Sequence, residues 1–154
     1  MDHRIRPARP VIEQPALFWA IIGFAILGVM DAVYLLVYKL TGNKLMCLGN
    51  GGCHDVNFSS YSQIGGIPVS VYGIVAFLVI IGILLLELNS KTARENGPLV
   101  VFGISLAGVV FEAYMTWIEV KIIHALCPFC VATMVIISLI FILAAIRLIL
   151  QTTH

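Results

Sequence analysis

Residues 128–146 read PFCVATMVIISLIFILAAI, an apolar run with no charge before Arg147. A helix rises 1.5 Å per residue, so about 20 residues cover the roughly 30 Å of bilayer hydrocarbon. The run is apolar all round, whereas a helix of a water-soluble protein keeps a polar face toward solvent. It is predicted to span a membrane. Three more stretches share this character. Ala16–Tyr38 holds one acid, Asp31; Pro68–Leu86 holds none; Pro98–Val120 holds Glu112 and Glu119 in its second half. The expected fold is an all-α integral membrane protein, a four-transmembrane-helix bundle. Its spans fall at about 16–38, 68–88, 98–120 and 128–148, in one domain over 1–154.

Composition agrees. Of 154 residues, 60% are hydrophobic and 11% charged, against about a quarter charged in an ordinary soluble domain. A net charge of +1 supplies no basic footprint for nucleic acid, which is excluded as a partner. The length leaves no room for a second globular module. The first span exceeds the apolar core of a signal peptide and no small-residue cleavage site follows it, so it is read as an uncleaved anchor.

Charge sets the expected orientation. Arg4, Arg6 and Arg9 precede the first span, Lys91 and Arg94 lie between the second and third, and Arg147 closes the fourth; Lys39, Lys44 and Lys121 lie on the other side. This asymmetry places both termini in the cytoplasm of a multi-pass cell (inner) membrane protein. All four cysteines, Cys47, Cys53, Cys127 and Cys130, then sit at the periplasmic or extracellular face, where disulfides persist.

The polar loop 39–67 carries the first two thiols. Gly49, Asn50, Gly51 and Gly52 make the turn between them flexible. Val56–Ile64 is expected to form a short helix across the bundle mouth, broken by Gly65–Gly66, with Pro68 at the first position of span two. The other two thiols form Cys127-Pro128-Phe129-Cys130. Pro128 at the first helical position makes Cys127 the cap residue and puts Cys130 in the first turn. Unpaired backbone N–H groups and the positive helix end lower a thiol pKa there, as reversible disulfide exchange requires. The C-x5-C and C-x-x-C spacings do not match the paired short knuckles of a zinc site. Haem attachment needs His directly after the motif, and Val131 stands there. A disulfide across one helical turn restrains little, so redox work is favoured over a static staple. A wet thiol pair and a pair at the lipid edge, on one face, suit a relay from a protein thiol to a lipid-soluble quinone.

In these features the chain resembles the vitamin K epoxide reductase family in its short bacterial form: Cys47, Cys53, Ser59 six positions later, Pro68-Val-Ser-Val-Tyr72-Gly73 opening span two, and Cys127-Pro-Phe-Cys130 opening span four. The resemblance covers nearly the whole chain. It implies a helical bundle around a quinone (ubiquinone, menaquinone or a related naphthoquinone), capped by the cysteine loop. Cys47 would exchange with the protein partner, Cys53 would pass electrons to Cys127, and Cys130 would face the quinone. Ser59, Val69, Tyr72 and Met134 fall at its implied quinone side; Val69 and Met134 stand where animal members place Asn and Tyr, and the loop from Cys53 to Pro68 is shorter than theirs. These departures favour a microbial thiol oxidase over an epoxide reductase. Many bacterial relatives carry a fused thioredoxin-like domain; this chain ends at His154, so the expected partner is a separate extracytoplasmic thioredoxin-fold protein.

The remaining polar residues have competing readings. Ser59 caps the loop helix or bonds a cysteine or quinone oxygen. Asp31 and Glu112 fall at similar depth, where an acid is costly; each is either a carboxyl bonded between helices or a proton donor to the quinone. Glu119, Lys121 and His124 are expected to be solvated near the interface. Phe18, Trp19, Tyr34, Tyr38, Tyr114 and Trp117 are read as the aromatic belt. The expected activity is a membrane thiol:quinone oxidoreductase supporting disulfide formation in exported proteins. Its rivals are a thiol-fuelled quinone or quinone-epoxide reductase and a non-catalytic scaffold stapled by disulfides.

Overall fold

The computed structural model describes residues 14–43 and 52–153. Four helices are long and apolar enough to cross a membrane: Pro15–Thr41, Val69–Asn89, Lys91–Ile123 and Pro128–Thr152. We number the α-helices α1 (Pro15–Thr41), α2 (Gly52–Asn57), α3 (Val69–Asn89), α4 (Lys91–Ile118) and α5 (Pro128–Thr152). Each long helix packs against two others, so α1, α3, α4 and α5 close a ring in that order. Phe18, Ile21, Ala25, Phe77, Ile80, Leu84, Val101 and Ile140 fill its middle, while many other apolar side chains face outward, toward the bilayer. The chain is a multi-pass membrane protein.

Helix ends follow local chemistry. Proline fixes the φ of a first helical residue and gives up an N–H that has no partner there, which suits Pro15 and Pro128, the first residues of α1 and α5. α1 stops where Gly42 turns left-handed (φ 64°) and gives its N–H to Tyr38 O at 2.9 Å. Pro68 is one position earlier than expected, acting as the cap before α3 rather than its first residue.

The segment Lys91–Gly97, between the expected second and third spans, is helical. Only Ser90 separates α3 from α4, and its side chain accepts from Ala93 N at 3.5 Å. Pro98 inside α4 cannot bond the Arg94 carbonyl four residues back. Gln151 of α5 supplies the missing donor, with Nε2 at 3.4 Å from Arg94 O and 3.3 Å from Glu95 O. At the same end Glu87, fully buried, pairs with Arg147. Arg94 Nε donates to the Glu87 carbonyl at 2.7 Å, and the Arg147 guanidinium lies 5.4 Å from the centroid of Phe18. This polar knot ties α3, α4 and α5 together.

The opposite end is capped. The expected helix over Val56–Ile64 is replaced by α2, a 3-10 turn at Ser60–Ser62 and a hairpin of β1 (Gln63–Ile64) with β2 (Ile67–Pro68). α2 ends because Ser59 turns extended (φ −69°, ψ 160°) and its hydroxyl takes the Val56 carbonyl at 2.7 Å. Gly65 and Gly66 both hold positive φ (61° and 82°), the geometry of a tight two-residue hairpin turn. Lys39 at the end of α1 fastens the cap: its Nζ donates to Asn57 O at 3.0 Å, to Ser62 O at 3.3 Å and to Ser62 Oγ.

The aromatic residues divide. Trp19, Tyr114 and Trp117 are exposed, as a belt requires, but Phe18 and Tyr38 are buried. Tyr38 Oη lies 3.4 Å from His54 Nδ1 beneath the cap, because the cap covers that end of α1.

Candidate functional site

Under the cap lies a second cluster, built from Leu35, Tyr38, Val56, Cys53 and Cys127 and flanked by Phe129 and Cys130. Three constraints assemble it. α2 approaches the segment before α5 so closely that a Cβ on Gly52 would collide with the Leu126 carbonyl. Lys39 and Tyr38 hold the cap from below. Tyr34 of α1 packs on Phe129 with ring centroids 4.6 Å apart. As a result Cys53 and Cys127, from loop and helix, are both fully buried and in contact.

Cys127 and Cys130 are free thiols. Cys127 caps α5 with extended backbone (φ −92°, ψ 117°). The Cys130 thiol donates to Cys127 Sγ and, more than any other contact, lowers the Cys127 pKa from 9.0 to about 7. Burial opposes this, while the backbone N–H groups of Cys130 and Phe129 and the Cys53 thiol reinforce it. Cys127 is therefore the residue of the pair set up as a thiolate, at the contact with Cys53.

Beside Cys130 a cavity opens between the helices. Its walls include Ala32, Leu35, Val69 and Met115, with Asn57, Ser62, Ser70, Glu112, Glu119, Cys130 and Thr133 as the polar and thiol groups. Asn57 is 8% exposed, and its Nδ2 has no hydrogen-bond partner among the described residues. A buried donor without an acceptor is costly, and this amide is open to a ligand oxygen. A quinone fits these residues: apolar walls for the ring, an N–H donor for a carbonyl, and a thiol at the edge.

The sequence-derived residues distribute unevenly. Cys130, Val69 and Glu112 line the cavity. Ser59 bonds the Val56 carbonyl, the capping alternative, and does not line it. Tyr72 is exposed and donates to Ile64 O at 3.2 Å, supporting the hairpin. Met134 lies between α4 and α5, where Thr116 Oγ1 donates to its sulfur at 3.4 Å. Asp31 accepts from Thr133 Oγ1, a bond between α1 and α5. Cys47, the three N-terminal arginines and Lys44 lie outside the described residues.

Glu119 overturns its expectation of solvation. It is 2% exposed, accepts from Cys127 N at 3.3 Å, and receives the Cys130 thiol as a further donor. Two helical turns on from Glu112 it keeps to the inward face, and the π-turn at Glu119–Ile123, closed by left-handed His124 (φ 56°), folds the Cys127 N–H back onto it while Lys121 and His124 stay exposed. Asn57 was also missed. The seven-residue spacing of Glu112 and Glu119, two helical turns on one face, is the sequence signal for the first; nothing local marks the second.

The sequence profile of the Vitamin K epoxide reductase family matches residues 19–145. The chain is also similar to the thiol-disulfide oxidoreductase LTO1 of Arabidopsis thaliana, 32% identical over 111 residues. That stretch is 68% of this chain and 29% of the plant protein. The paired thiols at the bundle mouth accord with both likenesses, and the chain belongs to the vitamin K epoxide reductase family.

Proposed function

We propose that this protein is a thiol:quinone oxidoreductase that reoxidises a separate thioredoxin-fold partner outside the membrane, with residues 1–154 acting as one membrane domain. The observation that carries the reading is the position of Cys127. It touches Cys53 on the cap side and Cys130 on the cavity side, so electrons entering through the loop pair have a short path to the cavity. Cys47 is assigned exchange with the partner. Cys53 then attacks the Cys127–Cys130 disulfide at Cys127, forming a Cys53–Cys127 bond and releasing Cys130 as the thiolate; Cys47 attacks Cys53 in turn, closing the loop disulfide and releasing Cys127. Asn57, Val69 and Cys130 would hold the quinone, which when bound takes up two electrons and two protons. The cap excludes water from the buried thiols. Arg94 and Arg147 at the far end of the bundle support cytoplasmic termini and an outward-facing cap.

The test is anaerobic mixing of the purified protein with a small dithiol and a water-soluble quinone, followed by ultraviolet absorbance. Quinol should appear in step with dithiol consumption, and Cys130→Ser should abolish it. A rigid scaffold gives neither quinol nor any change in cysteine state. A larger rate with a quinone epoxide than with a quinone would favour the epoxide-reductase alternative.

A further inference from the structure

The cysteine chemistry leaves one proton without a stated destination. Forming the Cys127–Cys130 disulfide makes one S–S bond and removes two electrons and two protons from the pair. Cys127 reacts as the thiolate, so its proton has already left. The second proton sits on Cys130. That thiol faces two acceptors: Cys127 Sγ, which is its bonding partner, and the carboxylate of Glu119, which lines the same cavity and is held on the Cys127 N–H.

We propose that Glu119 is the general base of the dithiol, taking the Cys130 proton as the disulfide closes and releasing it into the cavity that both residues line. The geometry is specific. Glu119 opens a π-turn, and its carboxylate is anchored by the Cys127 N–H at 3.3 Å. Its backbone carbonyl is fixed by the Ala125 N–H at 3.1 Å. A buried carboxylate without a cation beside it is costly, and the described structure offers it only the two donors of the C-x-x-C motif. The ionisable group nearest it besides the cysteines is Glu112 on the same helix, also lining the cavity; Asp31 of α1 lies toward Glu112 and is occupied by Thr133. Lys121 and His124 on the same turn are exposed. The electrons go to the oxidant, which is the quinone of the proposed function, and the proton on Glu119 can follow into the same cavity.

The inference rests on the reading of Cys127–Cys130 as the cycling pair, and its test needs no quinone. Quinone-free protein carrying Cys47→Ser and Cys53→Ser keeps only that pair. After reduction it is oxidised with diamide, an azo compound that accepts two electrons and two protons to become a hydrazine. Samples quenched in acid are scored by mass spectrometry for singly modified Cys127 and for the closed disulfide. With Glu119 present, the adduct should not accumulate, and the closure rate should level off above the titration of the carboxylate. E119Q should accumulate the adduct and close at least roughly tenfold more slowly, within the ~10²–10⁴-fold range of general-base catalysis. E119D should recover part of the rate. Equal or faster closure in E119Q overturns the proposal, because a carboxylate that only fills space leaves no slow second step. Should E119Q fail to fold, the Glu119 protein decides alone: a rate that climbs roughly tenfold per pH unit throughout, as for hydroxide-driven deprotonation, overturns it. Failure here leaves the quinone reading intact, and absence of quinol in the earlier assay leaves the role of Glu119 intact.

Discussion

The Cys53 thiol, on the cap helix, donates to the sulfur of Cys127 at the mouth of α5, and both residues are buried to within 1%. They come from segments 74 positions apart in the chain (127 minus 53), so the cap exists in a form that holds one thiol against another.

The first expected outcome concerns pH. The Cys130 thiol and the other donors hold Cys127 at about 7, below an unfolded thiol. Alkylation of Cys127 in the reduced, detergent-solubilised protein should therefore rise through about pH 7. The sign for stability follows: this contribution to the reduced fold is complete above the unfolded thiol pKa and is lost as pH falls through about 7. Cys130→Ala removes the leading donor and should move the alkylation midpoint upward, read by mass spectrometry at the Cys127 peptide. An unmoved midpoint would show that the helix end alone sets it.

Asn57 should behave in opposite ways with and without quinone. Its Nδ2 has no partner among the described residues, and a buried unpaired donor costs about 1–3 kcal/mol. Asn57→Leu should leave the quinone-free protein as stable or more stable in thermal unfolding. The same change should weaken quinone binding by about 1 kcal/mol, roughly fivefold in Kd. Destabilisation with unchanged Kd would detach Asn57 from the ligand.

The knot at the other end should respond as a buried ion pair. Glu87→Ala strands Arg147 and should cost roughly 3–5 kcal/mol, whereas replacing both by leucine should recover much of it. Unfolding in detergent by denaturant titration gives the comparison. Equal loss in the single and double variants would show that packing around Gly97 and Phe18, rather than charge, sets the cost.

The four spans were legible because bilayer hydrocarbon imposes one demand, a long apolar helix, and Pro128–Ile146 states it without interruption. The C-x-x-C motif was legible because Pro128 announces the helix start. What could not be read was governed by contacts distant in sequence. Lys91–Gly97 lies outside the expected spans until Gln151 is seen to serve the carbonyl that Pro98 abandons. The cap helix was misplaced because Ser59 withdraws the Val56 carbonyl from it. Glu119 looked like an interfacial acid because the Cys127 N–H it accepts from becomes its neighbour only when the π-turn and His124 fold the chain back.

The relay from cap to cavity is tested most directly by Cys130→Ser. Without Cys130, Cys127 has only Cys53 as a described sulfur neighbour, and an oxidised protein should hold a Cys53–Cys127 disulfide joining the loop to α5. Mapping the disulfides by mass spectrometry after mild oxidation should find that crosslink as the dominant species, released by a small dithiol. If Cys53 and Cys127 remain uncrosslinked under every redox condition while the protein stays folded, electrons do not pass between them and the relay is contradicted.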